Sequence, residues 1–127
     1  MSKVLFKNAV IVLQNSKIDN GYLLCCDGKI ADFGEMSQLT ETDSEVVDLE
    51  GAYLAPGIID THVHGGGGSD FMDGTEEAFR NIANHHNSHG VTSLLATTLA
   101  GDTNETANTL DVFCKCANTR NLNCTKR

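Results

Sequence analysis

Two histidines separated by a single residue are the strongest candidates for chemistry in this sequence. His62 and His64 stand in PGIIDTHVHGGGGSDFMDG, after an apolar run and before four glycines. Alternate side chains of a strand share a face, so both imidazoles would project to one side. Their Cα atoms would lie roughly 6.6 Å apart, while two nitrogens on a tetrahedral zinc lie about 3.3 Å apart. Leaning side chains can close that gap, so the pair could hold a divalent metal, with zinc favoured and iron or another divalent ion open.

The surroundings of the pair decide between a metal site and two ordinary hydrogen-bonded histidines, which an isolated His-x-His motif more often represents. The motif ends an apolar strand, follows Pro56-Gly57 and precedes a glycine loop, where α/β barrels build their active sites. Asp60 would share the histidines' face and could orient an imidazole or anchor the strand end. The opposite face is suited to packing under helices, and it comprises Ile59, Thr61 and Val63.

The glycine run after the second histidine is a candidate substrate loop. Without Cβ atoms its backbone can turn sharply and approach a ligand closely, and successive amide groups could bind an anion. The run lacks the lysine and the serine or threonine of a phosphate-binding P-loop, so a plain turn is the alternative. Its members are Gly65, Gly66, Gly67 and Gly68. Asp70 and Asp73 follow closely, but neither is assigned as a catalytic base.

Three further histidines fall late in a predicted helix. His85 and His89 have the i, i+4 spacing that could hold a metal, and His86 lies between them. A helix on the outside of a barrel lies away from the strand ends that carry the active site. We therefore interpret all three as residues of a helix surface or interface.

Composition restricts the class of protein. Lys and Arg number 9 against 17 Asp and Glu, which gives a net charge of −8 and argues against nucleic acid or an anionic membrane as partner. The N-terminal stretch has no small-residue cleavage site, so we expect no signal peptide. The five cysteines lack CxxC spacing, which favours reduced, structural thiols in a cytoplasmic protein.

The first half of the chain predicts short strands and tight turns. Strand-forming residues are frequent in KVLFKNAVIVL. The turn signal Asp27-Gly28 predicts a hairpin between GYLLCC and KIADFG. Glu50-Gly51 predicts a second hairpin between VVDL and AYLAP. We therefore expect a small antiparallel sheet before Pro56.

The pattern after Pro56 changes to strand, helix, strand, helix. We predict strands at residues 58–64 and at VTSLLATT, and helices at residues 75–89 and 103–118. Asp73 or Thr75 can cap the first helix, and Gly90 can end it. Residues expected to pack are Ala78, Phe79 and Ile82 in the first helix and Ala107, Leu110, Val112 and Phe113 in the second. This order implies parallel strands joined by a helical crossover.

Two stretches resemble the N-terminal region of proteins of the amidohydrolase superfamily, namely DGKIADFG and VVDLEGAYLAPGIIDTHVHGGGG. The pattern Pro-Gly-x-x-Asp-x-His-x-His within the second stretch is specific for this superfamily. Within it, the glycine run and HGVTSLLATTLAG are most similar to N-acetylglucosamine-6-phosphate deacetylases, and the similarity covers residues 8–103. The resemblance implies an α/β fold, with part of a composite antiparallel β-sandwich over residues 1–55. Over residues 56–127 it implies the first two βα units of an incomplete TIM-like (β/α)8 metal-dependent hydrolase barrel.

The resemblance also implies the chemistry. His62 and His64 match metal ligands, and a metal-activated water would attack the acetamide of an amino sugar phosphate with an aspartate as acid/base. The products would be acetate and glucosamine 6-phosphate. The parent enzyme would be a cytoplasmic homodimer acting on a small molecule.

The family pattern extends past this sequence. Its ligand glutamate, two later histidines and catalytic aspartate have no counterpart in residues 1–127, so we expect a truncated barrel that is inactive alone. Two alternatives stay open. One is another amidohydrolase of the dihydroorotase, dihydropyrimidinase or deaminase type. The other is a non-catalytic metal-binding or interaction module.

Overall fold

The computed structural model describes residues 2–40 and 43–118. The chain divides into two compact units between Pro56 and Gly57. None of the helices in the described residues is long and apolar enough to cross a bilayer.

The first unit is built on one mixed sheet of five strands. These are β1 (Lys3–Val12), β2 (Lys17–Cys26), β3 (Lys29–Glu35), β4 (Glu45–Asp48) and β5 (Tyr53–Leu54), with a short 3-10 helix at Met36–Gln38. The order is β3-β2-β1-β4, and β5 also pairs with β1. Leu5, Tyr22 and Leu24 form its buried cluster, against which Met36 and Leu39 pack. A second sheet, which would pack on this one to form the predicted β-sandwich, stays a prediction.

The predicted hairpin at Asp27-Gly28 is confirmed, because β2 and β3 pair antiparallel across it. Both turn residues have positive φ, 49° and 78°, as a two-residue hairpin turn requires. The predicted hairpin at Glu50-Gly51 is wrong. A turn forms there, but β4 and β5 both pair parallel with β1 and not with each other.

The correction follows from the length of β1. β2 pairs with one edge of β1. The other edge is ten residues long, which is enough to form backbone hydrogen bonds with both β4 and β5. The turn between them lies opposite Asn8, whose φ is 55° and whose carbonyl accepts from the Gly51 amide at 2.7 Å. The first sheet is therefore mixed, where the sequence predicted an antiparallel one.

The second unit follows the strand, helix, strand, helix order of the prediction. It contains β6 (Ile58–Val63), β7 (Gly65–Gly66), β8 (Ser69–Asp70), a 3-10 helix at Phe71–Asp73, α1 (Glu76–Ser88), β9 (Val91–Ala96) and α2 (Thr103–Asn118). β6 and β9 are parallel neighbours. The α/β class is confirmed, whereas the assignment of these elements as the first two βα units of an incomplete TIM-like barrel stays a prediction.

The capping and packing of α1 agree with the sequence. The Thr75 hydroxyl accepts from the Ala78 amide at 3.2 Å, and Gly90 has a φ of 86° just beyond the helix. The buried cluster of this unit comprises Val63, Phe71, Phe79, Ile82, Val112 and Cys116. Phe71, Phe79 and Phe113 pack with ring centroids 4.5–5.3 Å apart.

Two packing predictions are wrong. In α2, Ala107 and Leu110 are exposed, and Thr109, Val112 and Cys116 turn inward instead. In β6, only Val63 of the predicted helix-facing side is buried, because the buried cluster gathers at the carboxyl end of the strand. Ile59 and Thr61 are exposed. Cys25 and Cys26 are half-buried, Cys114 is exposed, Cys116 is buried, and Cys124 lies outside the described residues.

Candidate metal centre

His62 and His64 lie side by side at the carboxyl end of β6. Their Nε2 atoms are 3.1 Å apart, and their ring centroids are 4.9 Å apart at an interplanar angle of 79°. Both rings therefore lie on one side of the strand, as the alternation of side chains predicted. His62 is exposed and His64 is half-buried, so the pair is open to a small ligand.

A β-bulge at the motif explains how the rings meet. Asp60 pairs with Leu94 and Val63 with Ala96, so Thr61 and His62 together stand opposite Leu95. Two residues facing one is the definition of a bulge, which bends the strand and redirects its side chains. Residues i and i+2 of a regular strand have Cα atoms roughly 6.6 Å apart, so leaning side chains and this local bend bring the ring nitrogens together.

The backbone just after β9 fixes the ring of His64. Its Nδ1 lies 3.0 Å from the carbonyl oxygen of Thr97. A carbonyl only accepts, so Nδ1 is the donor, and in the neutral imidazole Nε2 then keeps its lone pair. In this tautomer the Nε2 lone pair faces Nε2 of His62. A histidine that binds a metal through Nε2 must be in the same tautomer.

The donor pair fits a divalent metal in chemistry and in spacing. Two imidazole nitrogens on a tetrahedral zinc lie about 3.3 Å apart, close to the 3.1 Å between the Nε2 atoms here. A structural or catalytic zinc has three or four protein ligands. Residues 2–40 and 43–118 contain no group of three or more His, Cys, Asp or Glu side chains that could hold a metal. The pair is thus a partial site that needs ligands from elsewhere.

Asp60 anchors the strand in this structure. Its Oδ1 accepts from the backbone amide of His62 at 3.1 Å. Of the two roles that the sequence left open, this contact fits support of the strand end. A role as second partner of an imidazole stays a prediction.

The glycine run forms a hairpin beside the histidines. β7 and β8 pair antiparallel across Gly67 and Gly68, whose φ values are 62° and 84°. The amide of Phe71 donates to the carbonyl of His64 at 2.8 Å, which ties the base of the hairpin to the motif. A Cβ on Gly65 would lie 2.3 Å from the Ser69 carbonyl oxygen, so only glycine fits there.

The two aspartates after the glycines cap the 3-10 helix. Asp70 accepts from the amide of Met72 at 2.8 Å, and Asp73 accepts from the amide of Asp70 at 2.9 Å. Asp73, one of the two predicted caps of α1, therefore serves the preceding turn, and Thr75 caps α1.

The histidines of α1 contact the glycine loop, which the sequence interpretation missed. His86 Nε2 lies 3.0 Å from the Gly65 carbonyl oxygen, and a Cβ on Gly67 would lie 3.0 Å from His85 Cβ. His85 and His89 are exposed, with ring centroids 4.8 Å apart. The absence of side chains on the glycines is the sequence signal that could have indicated this close packing of α1.

Two N-acetylglucosamine-6-phosphate deacetylases resemble this chain, one in sequence and one in structure. The chain is 35% identical over 96 residues to the N-acetylglucosamine-6-phosphate deacetylase of Bacillus subtilis (strain 168), which covers 76% of this chain and 24% of that protein. The structure matches the N-acetylglucosamine-6-phosphate deacetylase from Pasteurella multocida with a TM-score of 0.78 at 21% identity, over 94% of this chain and 31% of that one. The chain belongs to the amidohydrolase superfamily.

A second group of amidohydrolases matches over a shorter stretch. The dihydroorotase of Bacillus thuringiensis (strain Al Hakam) is 43% identical over 60 residues, which is 47% of this chain and 14% of that protein. No protein-family model matches the chain. The chain spans 24% of the length of the B. subtilis deacetylase.

Thr97 is a further residue of this candidate site that sequence reasoning did not single out. It follows β9 directly, at the same edge of the parallel pair as His64. Since the carboxyl ends of parallel strands meet at one edge, its position after VTSLLA was the available signal.

Proposed function

We propose that this chain supplies the His62–His64 part of the metal centre of an N-acetylglucosamine-6-phosphate deacetylase. The reaction is hydrolysis of the acetamide to acetate and glucosamine 6-phosphate. The observation that supports the proposal most directly is the 3.1 Å approach of the two Nε2 atoms. It occurs in a chain that is 35% identical to a deacetylase of this name.

His62 and His64 would hold the divalent metal through Nε2. When bound, the metal supplies a Lewis acid for the carbonyl and lowers the pKa of water, and zinc is the first candidate. His64 would keep its Nε2 lone pair available because the Thr97 carbonyl accepts a hydrogen bond from Nδ1. Asp70 and Asp73 are engaged as caps, so the acid/base carboxylate and further ligands are expected from outside the described residues.

The glycine hairpin is proposed to receive the sugar phosphate. It is joined to the motif through the His64 carbonyl, which holds it beside the metal ligands. An added Cβ at Gly68 meets open space, so this corner can admit a ligand close to the backbone. Backbone amides at such turns are suited to phosphate oxygens.

The larger architecture belongs to the same proposal. The mixed sheet would be one part of a β-sandwich, and β6-α1-β9-α2 would begin a (β/α)8 barrel. The B. subtilis deacetylase is about four times longer than the matched stretch, which covers 24% of that protein. A homodimeric, cytoplasmic parent enzyme is part of this expectation.

A chimera tests the activity. Residues 1–118 of this chain would replace the corresponding part of the B. subtilis deacetylase, and release of acetate from N-acetylglucosamine 6-phosphate would be measured. We expect turnover in the chimera and loss of at least about a hundredfold with His62→Gln or His64→Gln, because metal-site substitutions cost 10- to 100-fold even beyond the ligands themselves. The matched control is His89→Gln, which alters an exposed histidine just after α1. A chimera whose activity and bound metal are unaffected when both ligands are replaced would refute the proposal.

The isolated 127-residue chain provides a complementary test. Two ligands without an acid/base group should give no turnover of N-acetylglucosamine 6-phosphate with added zinc. Efficient deacetylation by this chain alone would show that the site is complete, contrary to the proposal.

The dihydroorotase match favours a second candidate, hydrolysis of a cyclic amide. The two candidates differ in the ligand that the glycine hairpin would receive. NMR titration of the zinc-loaded chain with N-acetylglucosamine 6-phosphate and with dihydroorotate separates them through shifts of the Gly65–Gly68 amides. Shifts with dihydroorotate alone would favour the cyclic amidase, and zinc binding without either response would favour a non-catalytic metal-binding module.

A further inference from the structure

We infer that Thr97 is a positioning residue that holds His64 in the Nδ1–H tautomer and turns its Nε2 lone pair toward His62. The inference rests on the proposed metal centre. Thr97 contacts the motif through three of its groups. Its carbonyl accepts from His64 Nδ1 at 3.0 Å, its amide donates to the Val63 carbonyl at 2.9 Å, and its hydroxyl accepts from the Val63 amide at 3.3 Å.

The hydroxyl acts where the strand pairing is interrupted. The register of β6 and β9 slips between Asp60 and Val63, so a regular ladder of backbone hydrogen bonds cannot run through the motif. The Thr97 hydroxyl replaces the missing acceptor for the Val63 amide and donates in turn to the Leu95 carbonyl at 3.0 Å. It therefore joins both sides of the bulge through one side chain.

This arrangement places the Thr97 carbonyl where the His64 ring needs it. The carbonyl belongs to the same residue whose hydroxyl and amide are bound to Val63, next to His64 in the chain. Loss of the hydroxyl leaves a single bond between Thr97 and the Val63 backbone, so the carbonyl is free to drift from Nδ1. The imidazole then gains access to the other tautomer, in which Nε2 carries the proton and cannot bind a metal.

The test uses the complete 127-residue chain without metal. Long-range ¹H–¹⁵N NMR spectra of the imidazoles, recorded above the usual histidine pKa of about 6.5, distinguish the two tautomers of His64 directly. We expect the Nδ1–H form in the unaltered chain and in Thr97→Ser, which keeps the hydroxyl. In Thr97→Val, which keeps the β-branched shape, we expect a mixture. The control Thr98→Val removes the neighbouring hydroxyl and should leave the spectrum unchanged.

Zinc calorimetry on the same variants gives the second readout. Thr97→Val should weaken zinc binding by about 10- to 100-fold, the usual effect of removing a group that orients a metal ligand. Thr97→Ser should stay within about threefold of the unaltered chain on the same ground. An Nε2–H form of His64 in the unaltered chain overturns the inference whether or not any variant folds. So does unchanged zinc affinity in Thr97→Val.

These outcomes are separate from those of the proposed function. Neither the tautomer nor the zinc affinity depends on turnover. An Nδ1–H His64 with the expected zinc series would support the inference even if the chimera failed to deacetylate. An active chimera with unchanged Thr97→Val would retain the function and refute the inference.

Discussion

His86 Nε2 lies 3.0 Å from the carbonyl oxygen of Gly65, twenty-one residues earlier in the chain. A carbonyl only accepts, so Nε2 of His86 is the donor. The bond joins the last turn of α1 to the loop that leaves the His-x-His motif. It also explains why the loop carries no side chain there, since a Cβ on Gly66 would lie 2.8 Å from the same nitrogen.

Removal of this donor should loosen the loop. His86→Leu keeps a bulky side chain that cannot donate, so we expect the free energy of unfolding to fall by about 1 kcal/mol, the usual net value of such a hydrogen bond. His86→Gln offers an amide N–H at similar reach and should recover part of the loss. Urea denaturation measures both. Equal stability of His86→Leu and the unaltered chain would show that the bond contributes nothing.

A second substitution addresses the loop backbone itself. Gly65→Ala would place its Cβ 2.3 Å from the carbonyl oxygen of Ser69, a backbone atom that cannot move without opening the β7–β8 hairpin. We expect a loss of at least about 2 kcal/mol, in the range of overpacking. The control is Gly101→Ala, whose Cβ would meet Met72 Cε at an ordinary 3.4 Å. Similar thermal midpoints for the two variants would contradict the geometry.

Local patterns were sufficient to predict most elements of the second unit. The apolar run after Pro56-Gly57 predicted β6, and the cap Thr75 with the stop Gly90 set the limits of α1 within a residue or two. Side-chain alternation also placed both imidazoles of His62 and His64 on one side of the strand. These features depend on a few neighbouring residues, so a single sequence contains them.

Features that depend on distant partners were not predictable from the local pattern. The parallel pairing of β4 and β5 with β1 depends on a free strand edge forty residues away, which a turn signal at Glu50-Gly51 does not report. The bulge opposite Leu95 depends on the register between two strands. The contacts of Thr97 and His86 with the motif are likewise tertiary, and no spacing rule describes them.

Metal titration checks the completeness of the candidate site. Two imidazoles should bind zinc weakly in the isolated chain, because structural and catalytic sites have three or four protein ligands. Calorimetry should show binding that His62→Gln or His64→Gln abolishes and His89→Gln preserves. Tight binding at one metal per two chains would instead show that a second copy completes the site.

The hydrogen bonds of Asp48, the last residue of β4, predict a loss of stability in acid. The Asn8 amide lies 2.9 Å from both oxygens of Asp48, and this bond lowers the pKa of the carboxyl. The Glu50 amide at 3.0 Å and Lys7 Nζ at 3.2 Å act in the same direction. A pKa below its unfolded value of about 3.9 means that the ionised form stabilises the fold. This contribution is complete above that pH and is lost as the pH falls through the lower folded value.

Asp48→Asn isolates the contribution of the Asp48 charge to stability. The amide keeps the shape of the side chain but cannot titrate or accept with both atoms. The urea midpoint of the unaltered chain should therefore exceed that of the variant near neutral pH, and the difference should shrink as the pH falls below about 4. A difference that is constant across this range would show that the charge of Asp48 makes no contribution.

Thr109 provides a test of the α2 packing. Its side chain has no exposed surface, and its hydroxyl has no hydrogen-bond partner among the described residues. Such a buried, unsatisfied group costs about 1–3 kcal/mol. Thr109→Val replaces the hydroxyl with a methyl group of nearly equal size, so we expect the free energy of unfolding to rise by about 1 kcal/mol on that scale.

The matched variant Thr109→Ser separates polarity from volume at this position. It keeps the unsatisfied hydroxyl and removes the methyl group, so it should be less stable than the unaltered chain, because a buried methyl contributes about 1 kcal/mol. The order expected from urea denaturation is therefore Val, then Thr, then Ser. If Thr109→Val were instead the least stable of the three, the hydroxyl would have to bind a partner beyond residues 2–40 and 43–118, and α2 would face a further part of the protein at that point.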